Sequence, residues 1–168
     1  HARNAIWAIA DPRQSGGRLV VKQPVKMHIH KRLFDRFKPS KALRSWNGTC
    51  ELLRRGIAAA APVAYFERIE AGTLLQNYYV CEHVAARFTA RELIAAYASG
   101  NSEFEGVAEL DAYRQLSDYL LRMHGRGILF RDLSGGNILI DKRPDGQLVF
   151  SLIDTGRIRV FQGALSLR

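Results

Sequence analysis

The sequence predicts an α+β fold in two lobes. A small N-terminal antiparallel sheet with one helix should fill residues 1–84. A mainly helical C-terminal lobe, cut short at its end, should fill residues 85–168. Three observations predict this. Residues up to Val84 read strand, strand, helix, strand, strand. Residues after it carry two helical patterns and one hairpin. The chain has 168 residues, 47% apolar and 24% charged, which is enough for a real core and ordinary for a globular protein.

The first strand is the apolar run Ala5-Ile-Trp-Ala-Ile-Ala. Asp11-Pro and Ser15-Gly-Gly then turn the chain, and Arg18-Leu-Val-Val-Lys-Gln forms the second strand. Pro24 to Pro39 is a basic connector. Ser40 can cap a helix that runs to Arg55, with Gly56 as its stop. Leu43, Trp46, Cys50 and Leu53 recur at helical spacing and predict its buried stripe. Two more strands, Val63 to Ile69 and Leu75 to Val84, flank Ala71-Gly72.

In the second half, Thr89-Ala-Arg-Glu92 is a capping box that opens a short helix closed by Gly100. Asn101 to Gly106 is polar and reads as a loop. Glu109 to His124 reads as a longer helix with Leu116, Leu120 and Met123 inward, stopped by Gly125 and Gly127. Ile138 to Asp141 and Leu148 to Ile153 are joined by Pro144-Asp-Gly, a hairpin turn signal.

Charge narrows the partners. Lys and Arg number 25 against 16 Asp and Glu, a net charge of +9, which points to an anionic partner. Lys22, Lys26, Lys31, Arg32, Arg36, Lys38, Lys41 and Arg44 cluster against Asp35 alone. A solvated basic face is the plainer reading, and a docking face for phosphates or an anionic membrane surface is the functional one. No nucleic-acid-binding motif accompanies it, so no nucleic acid is expected. Cys50 and Cys81 lack metal-like spacing and read as free core thiols. His28 and His30 alternate on the connector without a third ligand nearby, so they do not predict a metal site.

The strongest chemical signal is Arg131-Asp132-Leu133-Ser134-Gly135-Gly136-Asn137. It has the spacing of a kinase catalytic loop. Asp132 would accept a hydrogen bond from the attacking hydroxyl. Asn137, five residues on, would turn back toward a metal that holds the nucleotide phosphates. Asp154, in Leu152-Ile-Asp-Thr-Gly, follows an apolar strand and suits a second metal ligand. The Ile138–Ile153 hairpin would set it beside Asn137. Lys22 ends Leu19-Val-Val-Lys and can meet phosphate oxygens. Glu51, the only acid between Lys41 and Arg55, is its candidate partner. Glu82 and His83 would lie in the hinge and meet adenine through their backbone. The order Lys, Glu, hinge, Asp…Asn, Asp argues for a protein-kinase-like fold more than any single match does.

Arg36-Phe-Lys-Pro-Ser-Lys-Ala-Leu-Arg-Ser-Trp46, then Glu51-Leu-Leu-Arg-Arg-Gly-Ile57 and Pro62, resembles the lipopolysaccharide core kinase family, the Kdo and heptose kinases of Gram-negative bacteria. The resemblance runs from about Val20 to Val160. It implies ATP- and Mg2+-dependent phosphorylation of a sugar hydroxyl on a lipid A–Kdo or core-heptose acceptor, at the cytoplasmic side of the inner membrane. It carries Asp132 over as base, Asn137 and Asp154 as metal ligands, and Lys22 with Glu51 as phosphate clamp.

The sequence departs from the general kinase pattern. Phe130 stands for the catalytic-loop His, Ser134 for a common Lys, and Thr155 for the Phe of Asp-Phe-Gly, so a Phe-based switch is not expected. No glycine-rich phosphate loop precedes Ala5. These departures keep two alternatives open. One is a non-catalytic kinase-like nucleotide-binding module; the other is a kinase for a protein or soluble metabolite. An aspartic-protease reading of Asp154-Thr-Gly needs a second such triplet, which the chain lacks.

Overall fold

A computed structural model describes residues 4–24, 39–131 and 133–165. Strands β1 (Asn4–Ala10), β2 (Arg18–Pro24), β3 (Pro62–Glu70) and β4 (Thr73–Glu82) form one antiparallel sheet in the order β1-β2-β4-β3. Ala71 and Gly72 turn β3 into β4 with φ of 47° and 71°. That left-handed pair suits a two-residue hairpin, whose twist matches the flanking strands. The register sets Lys22 opposite Tyr79 and Val20 opposite Cys81. By the two-residue strand period all four side chains share one face.

Helix α1 (Lys41–Arg54) packs on this sheet. Ser40 caps it, its hydroxyl accepting from Leu43 N–H at 2.9 Å. The Ala42 N–H donates to the buried Asn77 side chain at 3.1 Å. Its buried face differs from the expected stripe. Ala42, Gly48, Thr49 and Leu52 are buried, whereas Leu53 is exposed. Small residues line the contact because the neighbouring backbone comes close there. The large apolar residues lie to either side, Trp46 against Tyr65 at 5.6 Å between rings.

In the second half, β5 (Phe88–Thr89) leads into α2 (Ala90–Ala98), where Thr89 and Glu92 form the reciprocal capping box. The expected loop after it is a small hairpin, β6 (Glu103–Phe104) with β7 (Val107–Ala108), turned by Glu105 and Gly106 at positive φ. Helix α3 (Glu109–Gly125) follows, then β8 (Ile128–Phe130), a 3-10 turn (Gly135–Asn137), β9 (Ile138–Lys142), β10 (Leu148–Leu152) and β11 (Ile158–Val160). β9 and β10 pair antiparallel with Leu152 opposite Ile138, and β5 adds to β9.

The larger of two buried clusters joins the end of α1 to the second half. Leu52 of α1 and Ile57 beyond it are buried with Leu93, Met123, Ile128, Ile140 and Leu152. Burying each such side chain stabilises by about 2 kcal/mol. Backbone bonds clip the same place: Leu152 N–H donates to Ala58 O at 3.0 Å, and Ala60 N–H to Leu152 O at 3.1 Å. Tyr119 stacks on Phe150 with ring centres 4.7 Å apart, yet its buried hydroxyl has no partner among the described residues. Burying an unpaired hydroxyl costs about 1–3 kcal/mol. Tyr119→Phe is therefore expected to raise the thermal midpoint by a few degrees; a fall would mean that the hydroxyl is bonded.

Candidate active site

The β9–β10 hairpin continues by one bond past its strands. Ile153 N–H donates to Asn137 O at 3.0 Å. Asn137 ends the 3-10 turn, and Asp154 follows Ile153. The two sequence-predicted metal ligands are thus neighbours across the hairpin mouth. Asp154 is exposed and sits at φ 58°, a left-handed conformation that Asp tolerates better than most residues. The 3-10 turn leans on the start of α2. A Cβ at Gly135 would lie 2.7 Å from Arg91 N, so only glycine fits that approach. The Arg91 guanidinium borders Gly136 and adds a positive group to this edge.

The residue after Asp154 ties the motif to α1. Thr155 is buried, its hydroxyl 2.6 Å from the Thr49 hydroxyl and 3.0 Å from Ser45 O. Thr49 lies 2.9 Å from the Tyr79 hydroxyl. One proton arrangement serves all three groups: Tyr79 donates to Thr49, Thr49 to Thr155, and Thr155 to Ser45 O. Burial pushes the Tyr79 phenol well above its usual range, which keeps it protonated and donating. Gly48 makes the approach possible, since a Cβ there would lie 2.3 Å from Thr155 O.

Above this motif, Val20, Cys81, Val84 and Ile153 belong to one apolar cluster that runs from the sheet to the residue before Asp154. Lys22 shares that face through the register. Burial pushes the Cys81 thiol up, and the nearby Lys22 ammonium partly opposes the shift.

Glu51 does not join this group, contrary to expectation. Its carboxylate binds Arg54 at 2.6 Å and Arg55 at 3.6 Å. Glu51 is two residues, about 200° of helix, from Thr49, so it lies on the side of α1 away from the motif. α1 holds no other acid, and it therefore brings no carboxylate to Lys22.

The hinge N–H groups also differ from the expectation. Glu82 N–H donates to Ala61 O at 2.8 Å and His83 N–H to Arg18 O at 2.9 Å, so neither is open to adenine. The Glu82 side chain meets Arg13 at 3.2 Å. Arg13 also binds Asp11, whose carboxyl it holds down to about 2 by hydrogen bonds from its guanidinium and backbone N–H. This ties the β1–β2 turn to the hinge.

Asp132 lies outside the described residues, as do Lys26, His28, His30, Lys31, Arg32, Asp35, Arg36 and Lys38 of the connector. Thr49, Thr155, Gly48 and Arg91 were not singled out as site residues from the sequence. The departure of Thr155 from the usual Phe was the one visible signal. The donors at the hairpin mouth suit magnesium: an amide carbonyl and a carboxylate are hard oxygens, and this ion takes few protein ligands beside substrate phosphates. Among the described residues no cluster of three or more His, Cys, Asp or Glu could hold a metal by itself. No described helix is long and apolar enough to cross a membrane.

Comparison with known structures gives the same fold. The chain is similar to WaaP in complex with acyl carrier protein, at TM-score 0.62 and 17% identity, covering 97% of this chain and 61% of that one. It is also similar to the bifunctional kinase-methyltransferase WbdD, at TM-score 0.51 and 16% identity, covering 92% of this chain and 34% of that one. The chain thus spans less than two thirds of either structure. Comparison with curated protein sequences gives no match. The model of the lipopolysaccharide kinase (Kdo/WaaP) family matches residues 1–161, nearly the whole sequence, and the chain belongs to that family.

Proposed function

We propose that this chain is an ATP- and Mg2+-dependent kinase that phosphorylates a Kdo or heptose hydroxyl of the lipopolysaccharide inner core. The observation that best supports the reading is the Ile153–Asn137 hydrogen bond, which makes Asn137 and Asp154 neighbours across the hairpin mouth. Residues 1–84 and 85–168 act as the two lobes. ATP lies between them, its adenine in the apolar cluster of Val20, Cys81, Val84 and Ile153. Lys22 holds phosphate oxygens. Asp132 accepts the proton of the attacking sugar hydroxyl, and Asn137 and Asp154 hold the metal. Bound magnesium would neutralise the charge that develops on the phosphoryl group, the largest contribution in this kind of transfer. The acceptor lipid keeps the enzyme at the inner-membrane surface on the cytoplasmic side, where basic residues between Lys22 and Arg44 meet its phosphates. The complex of WaaP with acyl carrier protein makes such a carrier a second candidate partner.

The purified protein with ATP, Mg2+ and a Kdo-terminated lipid A precursor, or one extended by heptose, should give a phosphorylated lipid by mass spectrometry. Asp132→Ala should abolish the product, and undiminished turnover in that variant would remove the assignment. One observation favours a second reading. With Glu51 turned to Arg54 and Arg55, α1 supplies Lys22 with no carboxylate, as fits a nucleotide-binding module without catalysis. Mg2+-dependent ATP binding without turnover on any acceptor is what that module would show.

A further inference from the structure

We infer that the buried hydroxyl chain Tyr79–Thr49–Thr155 is a latch that positions Asp154 and fixes α1 against it. Thr49 and Thr155 are then positioning residues for the metal-binding carboxylate. The inference rests on the proposed kinase reading for what Asp154 does; the latch itself stands on contacts alone.

Four observations converge. Asp154 holds a left-handed backbone conformation, at φ 58°, which Asp tolerates but which is sparsely populated, so contacts on the next residue help to select it. Thr155, the next residue, is anchored twice through one hydroxyl, to Thr49 and to Ser45 O. Thr49 accepts in turn from Tyr79 on β4, and Ser45 O, 2.9 Å away, is the other acceptor within reach of its one proton. Glycine at position 48 brings the Thr155 backbone against α1, where any Cβ would collide.

The chemistry differs from that of an apolar residue at this place. An apolar ring can leave one pocket for another and strand no polar group. Thr155 cannot leave without taking its own buried hydroxyl from both partners, Thr49 and Ser45 O, and leaving Thr49 with only Tyr79 and Ser45 O. Asp154 and α1 are therefore held in one arrangement. The turn does not flip, and α1 does not swing.

The test uses the full chain with Thr155→Val, Thr49→Val, their double variant, and the conservative Thr155→Ser and Thr49→Ser. Valine keeps the shape and removes the hydroxyl. The first readout is the Mg2+ dependence of ATP binding by calorimetry. The second is amide hydrogen exchange over residues 45–52 and 153–158. Each Val variant should weaken apparent Mg2+ affinity about tenfold and speed exchange in both segments about tenfold. The double variant should be no worse than either single one, because they break one chain. The Ser variants should stay within about twofold of the native protein. Native Mg2+ affinity in both Val variants overturns the positioning claim, even if exchange is faster. Native exchange in both overturns the latch. If the native protein binds no nucleotide, the kinase reading fails, and exchange alone then decides the latch. Should Thr155→Val not fold, Thr49→Val carries the same comparison.

Discussion

Asp154→Asn is expected to lower phosphoryl transfer by roughly 1,000-fold at saturating Mg2+ while leaving the thermal midpoint unchanged within about a degree. The rate effect follows from the proposed metal role. Removing one fixed group that stabilises transition-state charge typically costs about 100- to 1,000-fold, and a ligand to the ion itself belongs at the upper end. The choice of Asn over Ala separates chemistry from backbone. Position 154 has φ 58°, and an ordinary L residue there pays about 1–2 kcal/mol that Asp and Asn largely escape. Asn also keeps the size of the side chain, and Asp154 is exposed, so little packing is at stake. Radiolabelled transfer from ATP to the lipid acceptor measures the rate. Activity within tenfold of native would remove Asp154 from the metal site. Asn137→Ala should act in the same direction and more weakly, because a neutral amide contributes less charge than a carboxylate.

Much of the architecture was legible because it depends on local signals. Ser40 and the Thr89–Glu92 box mark helix starts by satisfying N–H groups, and both do so in the structure. The Pro144-Asp-Gly turn and the apolar runs beside it define the β9–β10 hairpin, which is why the neighbourhood of Asn137 and Asp154 could be foreseen. The family could be read from the Ser-Trp and Arg-Arg-Gly-Ile stretches around α1, and the family match agrees. What failed was the rotation of α1. Counting large apolar residues favours Leu43, Trp46, Cys50 and Leu53, and that choice leaves Glu51 open as the partner of Lys22. The buried face is instead built from Leu52 together with Ala42, Gly48 and Thr49, three small residues that contribute little apolar area. Their advantage is close approach, and what they approach is Thr155, 106 residues away from Thr49 in sequence. No periodicity within α1 carries that information. The pairing of the hinge N–H groups was hidden for a similar reason. Whether the N–H groups of Glu82 and His83 are open depends on Ala61 and Arg18, which are distant in sequence.

Gly48→Ala tests that contact by the sign of its effect. In a helix interior, Gly→Ala alone stabilises by about 1 kcal/mol, because alanine loses less backbone entropy. Here the added Cβ would lie 2.3 Å from Thr155 O and 3.3 Å from Ile158 Cγ1. The nearest atom is backbone, so no side-chain rotation relieves it. Either α1 or the Asp154-Thr-Gly turn must move, and overpacking of this kind costs about 1–3 kcal/mol. Movement also stretches the short, buried 2.6 Å contact between Thr49 and Thr155. The steric term should therefore win. For a chain of this size each kcal/mol shifts the midpoint by about 2–4 °C, so a fall of several degrees is expected. Asn47→Ala is the control. Asn47 is an exposed neighbour on the same helix, where the propensity gain meets no clash, and its midpoint should rise slightly or hold. If both variants rise together, α1 and Thr155 are farther apart than 2.3 Å implies, and the close approach that orients the helix is wrong. If Gly48→Ala falls while Asn47→Ala does not, a missing side chain sets the rotation of α1, and the same rotation turns Glu51 toward Arg54 and Arg55 and away from Lys22.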